Sequence, residues 1–314
     1  MELLVSNLAA SIEHFTEIMG LQLSAQEGDR AYLRAWQDRD HHTLVLTEAP
    51  ESGLGHVGWR VETRAEVEEI ERDLNARGIA TSWGDAHEGR GHGEGLRFLT
   101  PGGLPFELYW EVEYFVAPPE RASRFPSHPS RIGTRGIVPR RFDHVTLGVL
   151  DPRAEQEFLT DALGIQHRYY GEAPDGSRIG SWMSRTNIAH EIAVGRLGAT
   201  DGPALHHLAY YAESPDSLLN GASMLVDQGY KLDFGPARHG TSSATALYWK
   251  EPSGNRIEVW TGGLLIFDPD WEATRWDGDL ILAGIGDEWG TSQMSEDFIS
   301  GTIVSRDLMA GAKT

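Results

Sequence analysis

Five side chains suggest chemistry before any element is drawn. His56 and Glu107 lie 51 residues apart, and His207 and Glu258 repeat that separation. His144 opens an apolar run, 144–149, in the second half and has no counterpart of its own type in the first. Each His starts or enters an apolar stretch. Glu107 and Glu258 interrupt runs whose neighbours are Phe106 and Leu108, or Ile257 and Val259. A carboxylate among such neighbours is costly to bury unless it is paired or binds a metal. His144, His207 and Glu258 together make the two-imidazole, one-carboxylate set of a non-haem Fe(II) site with open positions. For His56 and Glu107 the expectation differs: two ligands rarely hold a catalytic metal, so these serve structure.

The repeat extends to the elements that must position these groups. Residues 7–22 parallel residues 151–166, each beginning at an N-cap candidate (Asn7, Asp151) and reaching a Gly (Gly20, Gly164) suited to a left-handed cap. Four strand–helix–strands modules are expected, starting near residues 1, 55, 142 and 205. Val67, Ile70 and Leu74 place a helix over about 64–75, and Leu218, Leu219, Met224 and Leu225 place another over about 217–228. Such a unit cannot bury both faces alone, so modules should pair within each half. The domain reading is therefore 1–115 without a catalytic metal, a linker at 116–141 with five prolines and six arginines, a catalytic domain at 142–263, and an extension at 264–314. Asp268-Pro269-Asp270-Trp271 is expected to pack on the second half, and the last twenty or so residues to be poorly ordered. Aligning on the helices puts the counterpart of His144 before Met1, so the first half is not expected to supply three equivalent ligands. Strand alternation sends His206 and His207 to opposite faces, and only one can reach a metal.

Composition narrows the classes. The 314 residues are 40% hydrophobic and 24% charged, enough for two domains with real cores. The formal net charge of −20 argues against a nucleic-acid or anionic-membrane partner. No apolar run is long enough to span a bilayer, and no export is expected, because the first residues do not read basic then apolar. The lack of cysteine excludes disulfides, thiolate zinc and iron–sulfur sites and fits a cytoplasmic protein.

The stretch from Gly235 to Glu258 carries more information. It holds His239, then Leu247-Tyr248, then Glu251-Pro252-Ser253-Gly254, then Glu258. This order resembles the signature of the type I extradiol ring-cleaving dioxygenases. Arg238-His239-Gly240-Thr241, Pro252-Ser253-Gly254-Asn255-Arg256 and the Gly262-Gly263 pair resemble its catechol 2,3-dioxygenase branch. Ala237, expected in a loop, departs from the usual pattern. The resemblance covers about residues 1–280. It implies an α+β vicinal oxygen chelate fold of four βαβββ modules in two domains. It further implies meta cleavage of catechol or alkylcatechols by O2, giving 2-hydroxymuconic semialdehydes in aromatic catabolism. By it, His144, His207 and Glu258 hold Fe(II), or Mn(II) in the same donor set, and His207 rather than His206 is the ligand. His190 matches the acid/base histidine, and His239 and Tyr248 match groups that hydrogen-bond the bound catechol and reacting oxygen. Relatives are homo-oligomers, commonly tetramers or octamers. Two other classes share the fold: metal-dependent glyoxalase or epimerase-type isomerases, with Glu191 as a fourth ligand, and non-catalytic binders of small aromatics. The isomerase reading leaves the His239–Tyr248 pattern unexplained, and a binder would account for aromatic residues but not for three convergent ligands. The pocket wall is expected around Trp182, Met183 and the segment after Gly263.

Overall fold

The computed structural model describes residues 1–85, 90–278, 280, 287–290, 292 and 296–305. The chain divides into two units. One is Met1–Phe142 with the described residues from Ile303, and the other is Asp143–Thr302.

In the first unit, β1 (Glu2–Val5), α1 (Leu8–Glu13), β2 (Gln22–Glu27), β3 (Arg30–Arg34) and β4 (Leu44–Glu48) form one βαβββ module. The next is β5 (Gly53–Arg60), α2 (Arg64–Ala76), β6 (Thr81–Gly84), β7 (Gly95–Leu99) and β8 (Pro105–Tyr109). The strands run β2-β3-β4-β1-β5-β8-β7-β6, and Ile303–Val304 adds to β5. Each module's first strand lies parallel to its last, and the two first strands meet at the centre. A Thr63–Glu66 capping box starts α2, which buries Val67 and Leu74. The predicted first helix changes character midway: α1 is followed by a π turn over His14–Ile18. The proline-rich stretch 116–141 lies along this unit. Ser130 is buried against Gln22, Arg34 and the Trp36 carbonyl, and the amides of Ile137 and Val138 donate to Ile18 and Met19.

The second unit repeats the plan. Its third module is β9 (Arg141–Gly148), α3 (Pro152–Leu163), β10 (Gln166–Glu172), β11 (Arg178–Ser184) and β12 (Ile192–Gly195). Its fourth is β13 (Ala204–Tyr211), α4 (Pro215–Asp227), β14 (Leu232–Arg238), β15 (Ala244–Lys250) and β16 (Arg256–Gly262). The order is β14-β15-β16-β13-β9-β12-β11-β10-β17, where β17 (Thr274–Asp277) lies parallel to β10. Asp151 caps α3 by accepting from Arg153 and Ala154, and Gly164 closes it at φ 63°. The α4 stripe is narrower than its sequence suggests: Leu218 and Leu225 are buried, whereas Leu219 is exposed. The four βαβββ modules give the expected α+β class. Among the described residues no helix is long and apolar enough to cross a membrane.

Two expectations about the C-terminal segment resolve differently. Trp271 packs on the second unit as expected, donating its indole N–H to the Arg168 carbonyl at 2.8 Å. The expected disorder does not begin at residue 295. Glu296–Ile299 forms a 3-10 turn because Arg256 donates to the Asp297 and Ser300 carbonyls and Phe298 packs on Phe234 and Tyr248. The part of that expectation falling on residues 306–314 lies outside the described residues.

Candidate metal centre

The strand order explains how distant residues meet. β9 and β13 are neighbours at the centre of the second sheet, bringing His144 beside His207. β16 lies parallel to β13 with Glu258 opposite Ala209, two residues beyond His207 and hence on the same face. The Nε2 atoms of His144 and His207 lie 2.9 and 3.0 Å from the same Glu258 oxygen, Oε2, and 3.4 Å from each other. Among the described residues this is the group of His, Asp and Glu side chains whose ligand atoms converge closely enough to hold a metal ion. All three are buried.

The surroundings orient these atoms. His144 Nδ1 is 3.0 Å from Asp143 Oδ2, and His207 Nδ1 is 2.6 Å from His206 Nδ1. With Nδ1 of each ring engaged behind it, both Nε2 atoms aim at one carboxylate. The other Glu258 oxygen, Oε1, is buried and faces His239 Nε2 at the longer distance of 3.5 Å. One carboxylate supports one imidazolium here. Burial pulls both imidazoles down, but His144 has two acidic neighbours, Glu258 and Asp143, and is pushed up to about 9. For His207 burial prevails and lowers it to about 4. Burial would raise Glu258; the facing imidazoles instead hold it well below the carboxylate range. Two nitrogens and one carboxylate, preoriented toward one point, fit a divalent cation of the Fe(II) or Mn(II) type.

Around this cluster lies a cavity of about 680 Å³, bordered by His190, His239, Tyr248, Trp182, Val194 and Phe298 among others. His190 precedes β12. Its Nδ1 is 2.9 Å from the Tyr169 hydroxyl, and its ring centroid is 4.2 Å from that of His144. Burial, then the positive charge of His144, holds His190 well below its ordinary value and so neutral. Tyr248 stands directly across the β15–β16 ladder from Glu258, and its hydroxyl is 2.7 Å from His239 Nε2. Burial, then Glu258, keeps the Tyr248 phenol protonated far above its usual range.

The structure thus brings all six sequence-derived residues to one cavity. Trp182 lines it, whereas Met183 is a core residue. Glu191 turns elsewhere, accepting from the Arg185 and Thr186 amides and the Thr186 hydroxyl. Sequence reasoning passed over Asp143, Tyr169 and Phe298. An acid immediately before a candidate ligand was a usable signal for Asp143; Tyr169 and Phe298 had none.

In the N-terminal copy other side chains fill the corresponding place. β5 and β8 set Gly58 opposite Glu107, and β7 sets Arg97 across from Glu107, the ladder position that Tyr248 holds in the other half. Arg97 Nε donates to Glu107 Oε1 at 2.8 Å, and His56 Nε2 is 3.3 Å from Oε2. A four-residue β1 does form, and it carries Glu2, whose carboxylate meets His56 Nδ1 at 3.0 Å. Burial opposes protonation of His56, but Glu107 and Glu2 outweigh it and raise the imidazole above its ordinary value. A charge-balanced network of Arg97, His56, Glu107 and Glu2 fills this place. Glu107→Gln is expected to destabilise the protein by about 3 kcal/mol, because it removes the buried anion that pairs with both Arg97 and His56. Metal content should remain that of the wild type; calorimetric unfolding with elemental analysis checks both. Loss of stoichiometric metal would assign a metal to the wrong half.

Comparison with known proteins follows the same division. Residues 54–113 match the model for the catechol 2,3-dioxygenase-like N-terminal domain, and residues 141–259 match that of the glyoxalase/bleomycin resistance protein/dioxygenase superfamily. A metapyrocatechase from Geobacillus stearothermophilus is 37% identical over 306 residues, covering 97% of this chain and 92% of its own. A manganese-dependent 2,3-dihydroxybiphenyl 1,2-dioxygenase from Geobacillus genomosp. 3 is 38% identical over 285 residues, 90% of each chain. Among solved structures, homoprotocatechuate 2,3-dioxygenase from Arthrobacter globiformis superposes with a TM-score of 0.86 at 26% identity, covering 100% of this chain and 93% of that one.

Proposed function

The chain belongs to the extradiol dioxygenases of the vicinal oxygen chelate superfamily, close to catechol 2,3-dioxygenase, and we propose that it cleaves catechol or alkylcatechols at Fe(II) held by His144, His207 and Glu258. The product is a 2-hydroxymuconic semialdehyde. The observation that carries this reading is the convergence of two Nε2 atoms on one buried carboxylate oxygen, at 2.9 and 3.0 Å, beside a cavity bordered by His190, His239 and Tyr248.

When bound by His144, His207 and Glu258, the metal would supply Lewis-acid chemistry to the catechol and O2. The side chains handle protons and placement. His190, neutral and fixed at Nδ1 by Tyr169, presents its other nitrogen as base for a catechol hydroxyl. Tyr248 directs its phenol hydrogen to a substrate oxygen. His239, hydrogen-bonded to that phenol, orients it and passes a proton to or from the reacting oxygen. Trp182, Val194 and Leu197 keep water from the reacting ring.

Adding catechol to Fe(II)-loaded protein in air should produce yellow semialdehyde with one equivalent of O2 consumed. Absence of colour and oxygen uptake would overturn the reading. Parallel loading with Mn(II) decides which ion supports turnover, since a manganese-dependent relative uses that ion. The cavity wall also bears on the substrate. Beyond the histidines and Glu258, its charged member among the described residues is Arg196, which is exposed. An alkylcatechol is therefore expected to exceed a carboxymethyl catechol in kcat/KM by roughly a hundredfold, because an unpaired buried carboxylate costs several kcal/mol. Equal values would refute the apolar-wall argument.

A further inference from the structure

His206 precedes the proposed ligand His207 and has no part in the chemistry assigned so far. Alternation along β13 separates the two side-chain directions, yet the rings bend to meet: their Nδ1 atoms are 2.6 Å apart and the ring planes cross at 72°. A contact that short between two nitrogens needs one proton between them. His206 Nε2 is 2.6 Å from the Phe298 carbonyl, which can only accept, so Nε2 carries a proton. If His206 also donated at Nδ1, His207 would have to carry its own proton on Nε2 and could not bind a metal. One assignment leaves the His207 Nε2 lone pair free: His207 Nδ1–H donates, and His206 Nδ1 accepts.

The acceptor end is itself fixed. Arg256 donates to the His206 carbonyl at 3.2 Å and to the Ser300 and Asp297 carbonyls at 2.8 Å each, tying β13 to the turn that carries Phe298. The first half offers an internal contrast. There the residue before His56 is Gly55, where even a Cβ would come within 2.4 Å of Glu2. The backing imidazole occurs in the half with the converging donors, whereas at the matching place in the other half the Glu2 side chain would have to move to admit any side chain.

We propose that His206 is a positioning residue of the metal centre, relaying a hydrogen bond from the Phe298 carbonyl that locks His207 in the tautomer with its Nε2 free for the metal. The two ligand imidazoles are then backed differently, His144 by a carboxylate and His207 by a neutral ring. This inference rests on His207 being a ligand.

Three variants separate the two ends of the relay. In His206→Asn the amide oxygen takes the place of Nδ1 and still accepts from His207. In His206→Gln the amide nitrogen reaches toward Phe298 but leaves His207 without its acceptor. His206→Phe removes both. Affinities for Mn(II), measured by chelator competition on the purified full chain, should fall 10–100-fold for Gln and Phe and stay within about threefold for Asn. Equal losses for Asn and Gln, or none for either, overturn the relay, because a merely structural role predicts no such split. Histidine ¹⁵N spectra of the Zn(II)-loaded wild type test the tautomers without any substitution: His206 should carry its proton on Nε2 and His207 on Nδ1, and the reverse overturns the proposal. His207→Ala distinguishes the layers. If it keeps full metal content, the ligand reading itself fails; if it loses metal while Asn and Gln behave alike, the relay alone fails.

Discussion

Glu258→Ala protein should purify without stoichiometric metal and turn over catechol at least about 10³-fold more slowly than wild type, since several kcal/mol of Lewis-acid stabilisation is lost. His144→Ala and His207→Ala should behave alike. The expectation follows from geometry rather than from the side chains singly. Glu258 Oε2 is the atom on which both imidazole nitrogens converge, at 2.9 and 3.0 Å, and each imidazole has its other nitrogen engaged behind it. Removing the carboxylate takes away the anionic member of the set and leaves His144 facing Asp143 alone. A structural cluster predicts something else: lower stability, with metal content indifferent to the change. Elemental analysis of the purified variants, with circular dichroism to verify folding, separates the two. Normal metal content in any one variant would remove that residue from the ligand set. Asp143→Asn should weaken metal binding less, by about 10–100-fold, because it alters the orientation and basicity of His144 and leaves the donor in place.

Much of this centre could be read from the chain. The two 51-residue separations marked the duplication, and the lone carboxylate between Ile257 and Val259 marked the site, because burial there needs a partner. What the sequence could not supply was ladder register. Arg97 and Tyr248 stand ten residues before Glu107 and Glu258 respectively, but only the β7–β8 and β15–β16 pairings show that each faces its carboxylate. That single exchange, guanidinium for phenol, explains why one copy is neutralised internally while the other can take an ion. His206 was hidden for a related reason. Alternation assigned it to the far face, and two adjacent rings can still meet at Nδ1 because that atom lies close to the backbone. The turn at Glu296–Ile299 was unreadable because its anchors, Arg256 and Phe234, are remote in sequence and polar–aromatic contacts of that kind leave no period.

His190→Asn should lower kcat/KM for catechol by about 10²–10⁴-fold while leaving metal content unchanged. The residue is placed for proton transfer and not for ligation. Its Nδ1 is occupied by the Tyr169 hydroxyl at 2.9 Å, and its ring packs at a tilt between His144 and Trp260, with centroids 4.2 and 5.2 Å away. Burial and the neighbouring His144 hold the imidazole well below its ordinary value, so at neutral pH it is in the form that can accept a proton. A buried imidazolium is costly, and Tyr169 lessens that cost: its hydroxyl oxygen accepts from Nδ1–H, which leaves Nε2 free as the base and still holds Nδ1–H once Nε2 is protonated. Tyr169→Phe should therefore reduce the rate as well, by roughly fivefold, the equivalent of about 1 kcal/mol for one hydrogen bond. Substrate acidity provides the decisive comparison. An electron-poor catechol whose first hydroxyl is already ionised at the assay pH needs no base for that step, so its loss in His190→Asn should shrink to about tenfold or less. If both substrates lose equally, His190 acts at another step. If neither loses more than about tenfold, it is a packing residue beside the metal centre. The buried Tyr169–His190 pair would then be held for the cavity wall, where Tyr169 already stacks on Trp182 with centroids 5.2 Å apart.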